Sequence, residues 1–369
     1  MRKRLWLGVL ILAVAFGIWV TGNHLGCFEH HVPCSFHGDS RGLKQTVIVP
    51  ALDTPMPSGK NVIWCSSFQL AWNHARDDVI HAPIRLKGAT AVADRLNRGK
   101  QSETDLPPGA CYATAGTVEK GIIATIQHEM AQHFPAHHEP AFESRSPDDI
   151  IAYGYLEVKA PFVTPFDTLH SPLLFTDSAN RSVRLNSFGV DKGTKKEIRE
   201  SVNERYYLYH GREFIVTLHT KANMQIILAR IEPKATLAAT VADVEAKLAE
   251  PIKYNREDER QLGENDTLVV PNMKWQVNHH FSELESQSVA NPGFTGYYFT
   301  DARQSIDFFL NNTGARLKAE ASDRLSCSMP HELLFNHPFL LYLRQEKAGK
   351  TAQPFFAMWV DNAELLDKW

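Results

Sequence analysis

Residues 335–344 read FNHPFLLYLR and residues 354–360 read PFFAMWV, with a polar segment ending in Ala348-Gly349-Lys350 between them. Two apolar, aromatic-rich runs separated by a glycine-containing turn predict a β-hairpin. Neither run alternates polar with apolar residues, so we expect both faces of this hairpin to be buried. Because the hairpin comes last in the chain, the preceding residues must supply the layers that cover it.

The composition is that of a globular protein. The chain has 369 residues, of which 43% are hydrophobic and 22% charged, enough for one large domain or two ordinary ones. Its formal net charge is −3, so we expect no nucleic-acid partner. The sequence contains no Gly-x-Ser-x-Gly, P-loop, dinucleotide-binding or metal-ligand pattern. We therefore predict a protein that is not an enzyme and that has no cofactor and no metal site.

The first residues have the pattern of an export or anchoring segment. Arg2, Lys3 and Arg4 precede an apolar run from Leu5 to Val20, whose length approaches the lower limit for crossing a bilayer. The basic flank keeps the N-terminus cytoplasmic and places the bulk of the chain in the periplasm, the lumen or outside the cell. We predict a transmembrane signal-anchor over residues 1–22; cleavage of this segment would give a secreted protein.

The next residues predict little regular structure. Residues 23–60 are rich in His, Pro, Gly and polar residues, which indicates a stalk or an irregular cover. The chain contains five cysteines, and Cys27 and Cys34 are close enough in sequence to form a bridge. An odd number leaves at least one thiol unpaired or paired between chains. We expect the folded domain to extend from residue 61 to residue 369.

Within that domain, alternating patterns predict several strands and helices. Residues 61–64 indicate a strand, followed by a helix that Cys65-Ser66-Ser67 could cap. Residues 149–166 predict a long strand that breaks at Pro161. Further strands are expected at residues 214–218, 224–230 and 268–275, and further helices at residues 121–134 and 237–248.

Taken in order, these segments resemble the serpin family. The sequence FNHPF at residues 335–339 is similar to the Asn-x-Pro-Phe segment that follows the serpin reactive loop, and AYGYLEVKAPFVTPF at residues 152–166 is similar to a strand of the serpin central sheet. Gly154 stands where that family usually has an Asn that helps to latch the sheet closed, and Phe162 stands in place of Trp. The resemblance implies an α+β fold with a large mixed or antiparallel central sheet, smaller sheets and surrounding helices.

The same resemblance implies a reactive loop over residues 314–334, with a hinge formed by Gly314, Ala315, Arg316, Leu317, Lys318 and Ala319. In inhibitory serpins a protease cleaves this loop, which then inserts as a new central strand and carries the acylated protease with it. Counting back from Phe335 places the scissile residue at Cys327, and counting forward from Gly314 places it at Ser328, followed by Met329. The implied partner is a serine or cysteine protease.

The loop sequence supports insertion in part. In an extended strand one face would carry Ala315, Leu317, Ala319, Ala321, Asp323, Leu325 and Cys327, and the other face would be polar. Asp323 is the exception, because an unpaired buried carboxylate costs several kcal/mol. Leu317 and Lys318 also stand where active inhibitors mostly have alanine. Two interpretations stay open: a suicide-substrate inhibitor, or a non-inhibitory serpin-fold binding or structural module anchored at the membrane.

Overall fold

The computed structural model describes residues 34–137, 141–142, 144, 146–159, 161–208, 211–221, 223–249, 261–312, 330–347 and 350–369. Three sheets and five α-helices make up this part of the chain. The helices are α1 (Ser66–His74), α2 (Thr90–Asn97), α3 (Ile122–His133), α4 (Lys196–Glu200) and α5 (Leu237–Ala249). A π-helical turn, Ala75–Ile80, extends α1.

The six-stranded sheet, sheet A, contains the predicted long strand. Its members are β1 (Phe36–Asp39), β4 (Cys111–Thr117), β5 (Asp149–Lys159), β12 (Met273–His280), β13 (Gln287–Ser288) and β14 (Tyr298–Leu310). The strand order is β1-β12-β14-β5-β4, with β13 paired to β14. The β5–β14 and β1–β12 pairs are parallel and the others antiparallel, so sheet A is mixed.

Sheets B and C hold the remaining strands. Sheet B contains β2 (Thr46–Ile48), β3 (Asn61–Cys65), β8 (Val202–Leu208), β9 (Glu213–His219), β10 (Met224–Arg230), β16 (Phe339–Lys347) and β17 (Lys350–Val360), in the order β2-β3-β17-β16-β10-β9-β8. Sheet C contains β6 (Asp167–Thr176), β7 (Ser182–Val190), β11 (Thr267–Pro271) and β15 (Glu332–Leu334), in the order β15-β11-β7-β6.

The C-terminal hairpin has the predicted structure. Strands β16 and β17 pair in antiparallel fashion, and β10 and β3 flank them in the interior of sheet B. Leu341 and Leu343 face the main hydrophobic core, whereas Leu340 and Tyr342 face a second core that α5 covers. Both faces are therefore buried, as the continuous apolar runs indicate.

The segment predicted as a stalk or irregular cover differs from that expectation where it is described. Strand β1 pairs with β12, placing Phe36 opposite Trp275, and β2 pairs with β3. These strands are too short to show a clear period among Pro and Gly residues. Cys34 is a free thiol that donates to the carbonyl of Phe36 at 2.8 Å, while Cys27 lies outside the described residues.

The prediction of a transmembrane signal-anchor is not supported and is corrected. Across the residues that the structure describes, no helix combines the length and the apolar character needed to cross a membrane. The predicted segment itself, residues 1–22, lies outside those residues.

Candidate functional site

The parallel pairing of β5 with β14, which we call the seam, is the part of sheet A most relevant to the predicted loop. The register runs from Asp149 opposite Tyr298 to Lys159 opposite Phe309, with a bulge near the start of β14. The chain leaves β14 at Leu310, is described as far as Asn312 and is described again from Pro330. The predicted loop therefore follows directly from one of the two strands that border the seam.

The predicted site residues themselves, Gly314–Ala319 and Cys327–Met329, lie outside the described residues. The structure describes instead the two ends of the connection. At the first end, the backbone N–H of Phe166 donates to the carbonyl of Asn312 at 3.2 Å. At the second end, β15 pairs in parallel with β11 at the edge of sheet C. The connection thus joins sheet A to sheet C.

On its inner face the seam packs against the N-terminus of α1. A Cβ atom at Gly154 would lie 2.6 Å from the backbone C and O of Ser67, closer than real Cβ atoms approach, so no larger side chain fits there without movement. Gln304, which is opposite Gly154 on β14, donates to the Ser67 hydroxyl at 2.8 Å and to the Cys65 carbonyl at 3.1 Å. The polar contact to α1 is therefore made from β14 rather than from the position on β5 where the resemblance expects an Asn.

Cys65 at this junction is a structural thiol. It is buried, and its Sγ accepts from the backbone N–H of Ser67 at 3.5 Å as the N-cap of α1. Burial raises the pKa of the Cys65 thiol to about 12. The thiol is therefore protonated near neutral pH and is a poor nucleophile.

On its outer face the seam is crossed by a hydrogen bond between side chains. The Tyr155 hydroxyl on β5 donates to Asp307 Oδ2 on β14 at 3.0 Å, and Gln276 Nε2 on β12 donates to the same oxygen at 2.7 Å. His137 Nδ1 lies 3.7 Å from this oxygen. Asp307 therefore connects three neighbouring strands, and separating β5 from β14 would break the Tyr155 contact.

The return end of the connection is held by His331. Its backbone N–H donates to Asp266 Oδ1 at 2.8 Å, and its ring stacks on Tyr207 with centroids 3.9 Å apart. Its Nδ1 lies 2.8 Å from Glu204 Oε2. The hydrogen bond to Glu204 raises the pKa of His331, because the charged imidazolium is the form that the carboxylate favours. These contacts anchor the chain at the edge of sheet C immediately before β15.

The neighbouring segment is anchored by Arg230. Its Nη1 donates to the carbonyl of Leu334 at 3.2 Å and to Asn336 Oδ1 at 3.0 Å. Burial lowers the pKa of Arg230. The asparagine of the FNHPF sequence thus has a structural role, since it fixes the chain between β15 and β16.

One cluster could hold a metal ion, and sequence reasoning missed it. Within the described part of the chain, His280, Glu285 and Asp301 offer ligand atoms that all lie within 4.8 Å of one another. Their spacing matches no common motif, and only the antiparallel register of β12 with β14, which places His280 opposite Arg303, brings them together. Burial raises the pKa of Asp301 to about 6.

Comparison with solved structures identifies the architecture. The chain is similar to mouse protein-Z dependent protease inhibitor, with 14% identity, coverage of 82% of this chain and 91% of that chain, and a TM-score of 0.54. Human thyroxine-binding globulin, crystallised with thyroxine, is similar at 11% identity, with coverage of 82% and 92% and a TM-score of 0.50. Serpin48 from the insect Tenebrio molitor gives 11% identity, coverage of 82% and 92%, and a TM-score of 0.48.

No family model and no curated protein sequence matches the chain. The similarity to solved structures nevertheless shows that it has the serpin fold. The predicted α+β architecture, a mixed sheet with further sheets and surrounding helices, is confirmed, although sheet B, with seven strands, is not smaller than the six-stranded sheet A.

Proposed function

We propose that this serpin-fold chain inhibits a serine or cysteine protease as a suicide substrate, with the bait at Cys327, Ser328 and Met329. The observation that carries the proposal is the parallel seam, joined directly through β14 to the connection that holds these residues. After cleavage, the segment still attached to β14 would turn back and enter between β14 and β5, antiparallel to both. The similarity to a solved protease inhibitor supports this function.

Backbone hydrogen bonding favours insertion. An inserted strand would exchange one parallel ladder for two antiparallel ones, which are slightly more stable per residue. Roughly ten additional backbone hydrogen bonds, at about 0.5–1.5 kcal/mol net each, would contribute about 5–15 kcal/mol. Loss of the Tyr155–Asp307 hydrogen bond costs about 1.5–3 kcal/mol, because the acceptor is charged. The entropy lost in ordering the segment and a buried Asp323 carboxylate also oppose insertion.

The test uses the full chain and a panel of serine and cysteine proteases. We expect a covalent complex that survives denaturing electrophoresis, a released C-terminal fragment beginning at Ser328 or Met329, and a higher melting temperature after loop cleavage. Absence of both the complex and the rise in melting temperature with every protease that cleaves the loop would falsify inhibition.

A matched pair of variants tests the insertion step. Ala321→Arg puts a cation on the face that would enter sheet A, so we expect cleavage without a covalent complex. Ser322→Arg adds the same charge one residue later on the opposite face, and we expect it to inhibit like the parent chain. Equal complex formation by the two variants would contradict strand insertion.

The second candidate is a non-inhibitory binding or structural module with the serpin fold. It is favoured by the Tyr155–Asp307 contact, which holds the seam closed, and by the similarity to thyroxine-binding globulin, a solved complex with a small ligand. Under this alternative, cleavage within residues 314–334 leaves the melting temperature unchanged. Tyr155→Phe discriminates further, because weakening the seam should speed complex formation only in an inhibitor.

The proposed organisation takes residues 61–369 as the inhibitory domain, extended by strands β1 and β2, which pair with sheets A and B, and residues 314–334 as its reactive loop. We place the protein outside the cytoplasm, because the basic and apolar N-terminus is typical of exported chains. The proposed partner is a serine or cysteine protease.

A further inference from the structure

Three potential ligands meet at the end of sheet A opposite the predicted loop. His280 is the last residue of β12, Glu285 lies in the turn that follows, and Asp301 lies near the start of β14. His280 Nδ1 and Glu285 Oε1 are 2.7 Å apart. The Glu285 oxygen also accepts from the backbone N–H of Ala302 at 3.2 Å. This backbone contact orients the carboxylate toward β14.

One atom of the cluster lacks a hydrogen-bond partner. Asp301 is 2% exposed, and its Oδ2 accepts from Arg303 Nη2 at 2.6 Å. Its Oδ1 is buried and has no hydrogen-bond partner among the described residues. A buried carboxylate oxygen without a donor carries an uncompensated desolvation cost. A cation bound to that oxygen would remove this cost.

The charges around the cluster also favour a cation. With a neutral imidazole, Glu285 and Asp301 contribute two negative charges and Arg303 one positive charge. These groups therefore sum to a charge of −1. Arg303 also donates to the Ala141 carbonyl at 3.3 Å, and its guanidinium carbon lies 4.4 Å from the centre of the Phe142 ring. The nearby Asp39 pairs with Arg41 at 2.8 Å, so that pair adds no net charge.

We propose that His280, Glu285 and Asp301 bind a divalent transition-metal ion, for which zinc is the natural probe. One imidazole nitrogen with two carboxylate oxygens is a donor set that zinc accepts, and a water would complete a tetrahedral site. Ligand atoms of such a site lie about 3.3 Å apart, so the 2.7 Å contact between His280 and Glu285 would have to widen and the separations of up to 4.8 Å would have to narrow. Arg303 would remain bonded to the second oxygen of Asp301 and hold that ligand in place.

Two of the three proposed ligands are partly exposed, which gives an ion access to the cluster from solvent. The His280 side chain is 33% exposed and the Glu285 side chain 20% exposed, so an ion can enter from that side. The ion would replace the direct contact between His280 and Glu285. Because it would join β12 to β14 only in the folded protein, binding should stabilise the native state.

The experiment strips the full-length protein with a chelator, dialyses the chelator away and titrates zinc chloride by calorimetry. In parallel, the melting temperature is measured with and without zinc, and cobalt serves as a spectroscopic probe of coordination. We expect a site with a stoichiometry of one, a higher melting temperature with zinc, and a cobalt spectrum of nitrogen and oxygen ligands without thiolate bands.

The variants separate this site from adventitious binding to the other histidines. His280→Gln and Glu285→Gln should each weaken zinc binding by at least about tenfold while leaving the metal-free melting temperature close to that of the parent. His279→Gln is the matched control: the adjacent ring bonds Ser40 Oγ at 2.7 Å instead, and its removal should leave zinc binding unchanged.

Two results would overturn the proposal. One is zinc binding of the same affinity and stoichiometry in His280→Gln and in the parent chain. The other is no measurable zinc binding by the stripped parent chain, which would mean that Arg303 and the His280–Glu285 hydrogen bond already complete the cluster as a closed charge network.

Discussion

The hairpin β16–β17 and the seam β5–β14 are both interior strand pairs, but different interactions hold them. The hairpin is antiparallel and is packed on both faces by apolar side chains. The seam is parallel, and its β14 strand carries Arg303, Gln304 and Ser305 in succession, each at most 2% exposed. The hairpin therefore depends mainly on apolar packing, whereas the seam combines apolar packing with buried polar side chains and hydrogen bonds that an inserted strand could replace.

The largest expected effect is at the hairpin. Phe356 on β17 is fully buried, and its ring stacks on Phe308 of β14 with centroids 4.9 Å apart. Phe356→Ala leaves a cavity between sheets A and B, so we expect the free energy of unfolding to fall by about 3–5 kcal/mol. Equilibrium urea denaturation measures this change.

Leu174→Ala is the control for that substitution. Leu174 is 55% exposed on β6, so its truncation should change the free energy of unfolding by about 0.5 kcal/mol or less. A comparable loss in both variants would mean that the hairpin is not the packed centre of the molecule.

A smaller effect is expected at the seam. Gly154→Ala places a methyl group 2.6 Å from backbone atoms of Ser67, and backbone cannot move aside as a flexible side chain can. We expect a loss of about 1–3 kcal/mol in the free energy of unfolding, with a displaced α1. If the variant inhibits proteases at all, it should form the covalent complex faster, because the strained contact is at the seam itself.

Gly116→Ala is the matched control on the adjacent strand β4. A Cβ at Gly116 would lie 3.1–3.2 Å from atoms of the Ile122 side chain, so a much smaller displacement relieves this contact than the 2.6 Å contact at Gly154. We expect less than half of the stability loss caused by Gly154→Ala. Equal losses would show that the approach of α1 to the seam is not especially tight.

The same contrast explains what the sequence could predict. The apolar runs at residues 335–344 and 354–360 are local patterns, so the hairpin and its burial follow from them directly. The order of these strand and helix patterns along the chain was also enough to predict the fold class. The short strands β1 and β2 could not be predicted, because three or four residues carry no period and their pairing depends on the distant partners β12 and β3.

The contacts at the seam and in the His280 cluster could not be predicted from local sequence patterns. Gln304 bonds Ser67 across 237 residues of sequence, and nothing in either local pattern links them. Because Gly154 replaces the Asn that the resemblance expects, the sequence indicated the loss of a polar contact that helps to keep the sheet closed. The structure has a polar contact to α1 on the opposite strand, β14, instead. The His280 cluster is hidden for the same reason, since its three members come from two strands and a turn that only the fold brings together.

The smallest expected effect is a pH dependence at the return end of the loop connection, where His331 faces Glu204. The folded pKa of His331 is raised, so its contribution to stability is complete below the unfolded pKa of about 6.5 and is lost as the pH rises through the higher folded pKa. Glu204→Gln removes this contribution. The difference in urea midpoint between parent and variant should therefore be largest near pH 6 and shrink toward pH 8.5.

Glu103→Gln, which alters an exposed carboxylate 3.4 Å from His74, is the control and should show little difference at any pH, because solvent screens that pair. A parent-minus-variant difference for Glu204→Gln that stays constant with pH would mean that stacking on Tyr207 and the backbone bond to Asp266, rather than the charged pair, hold this end of the connection.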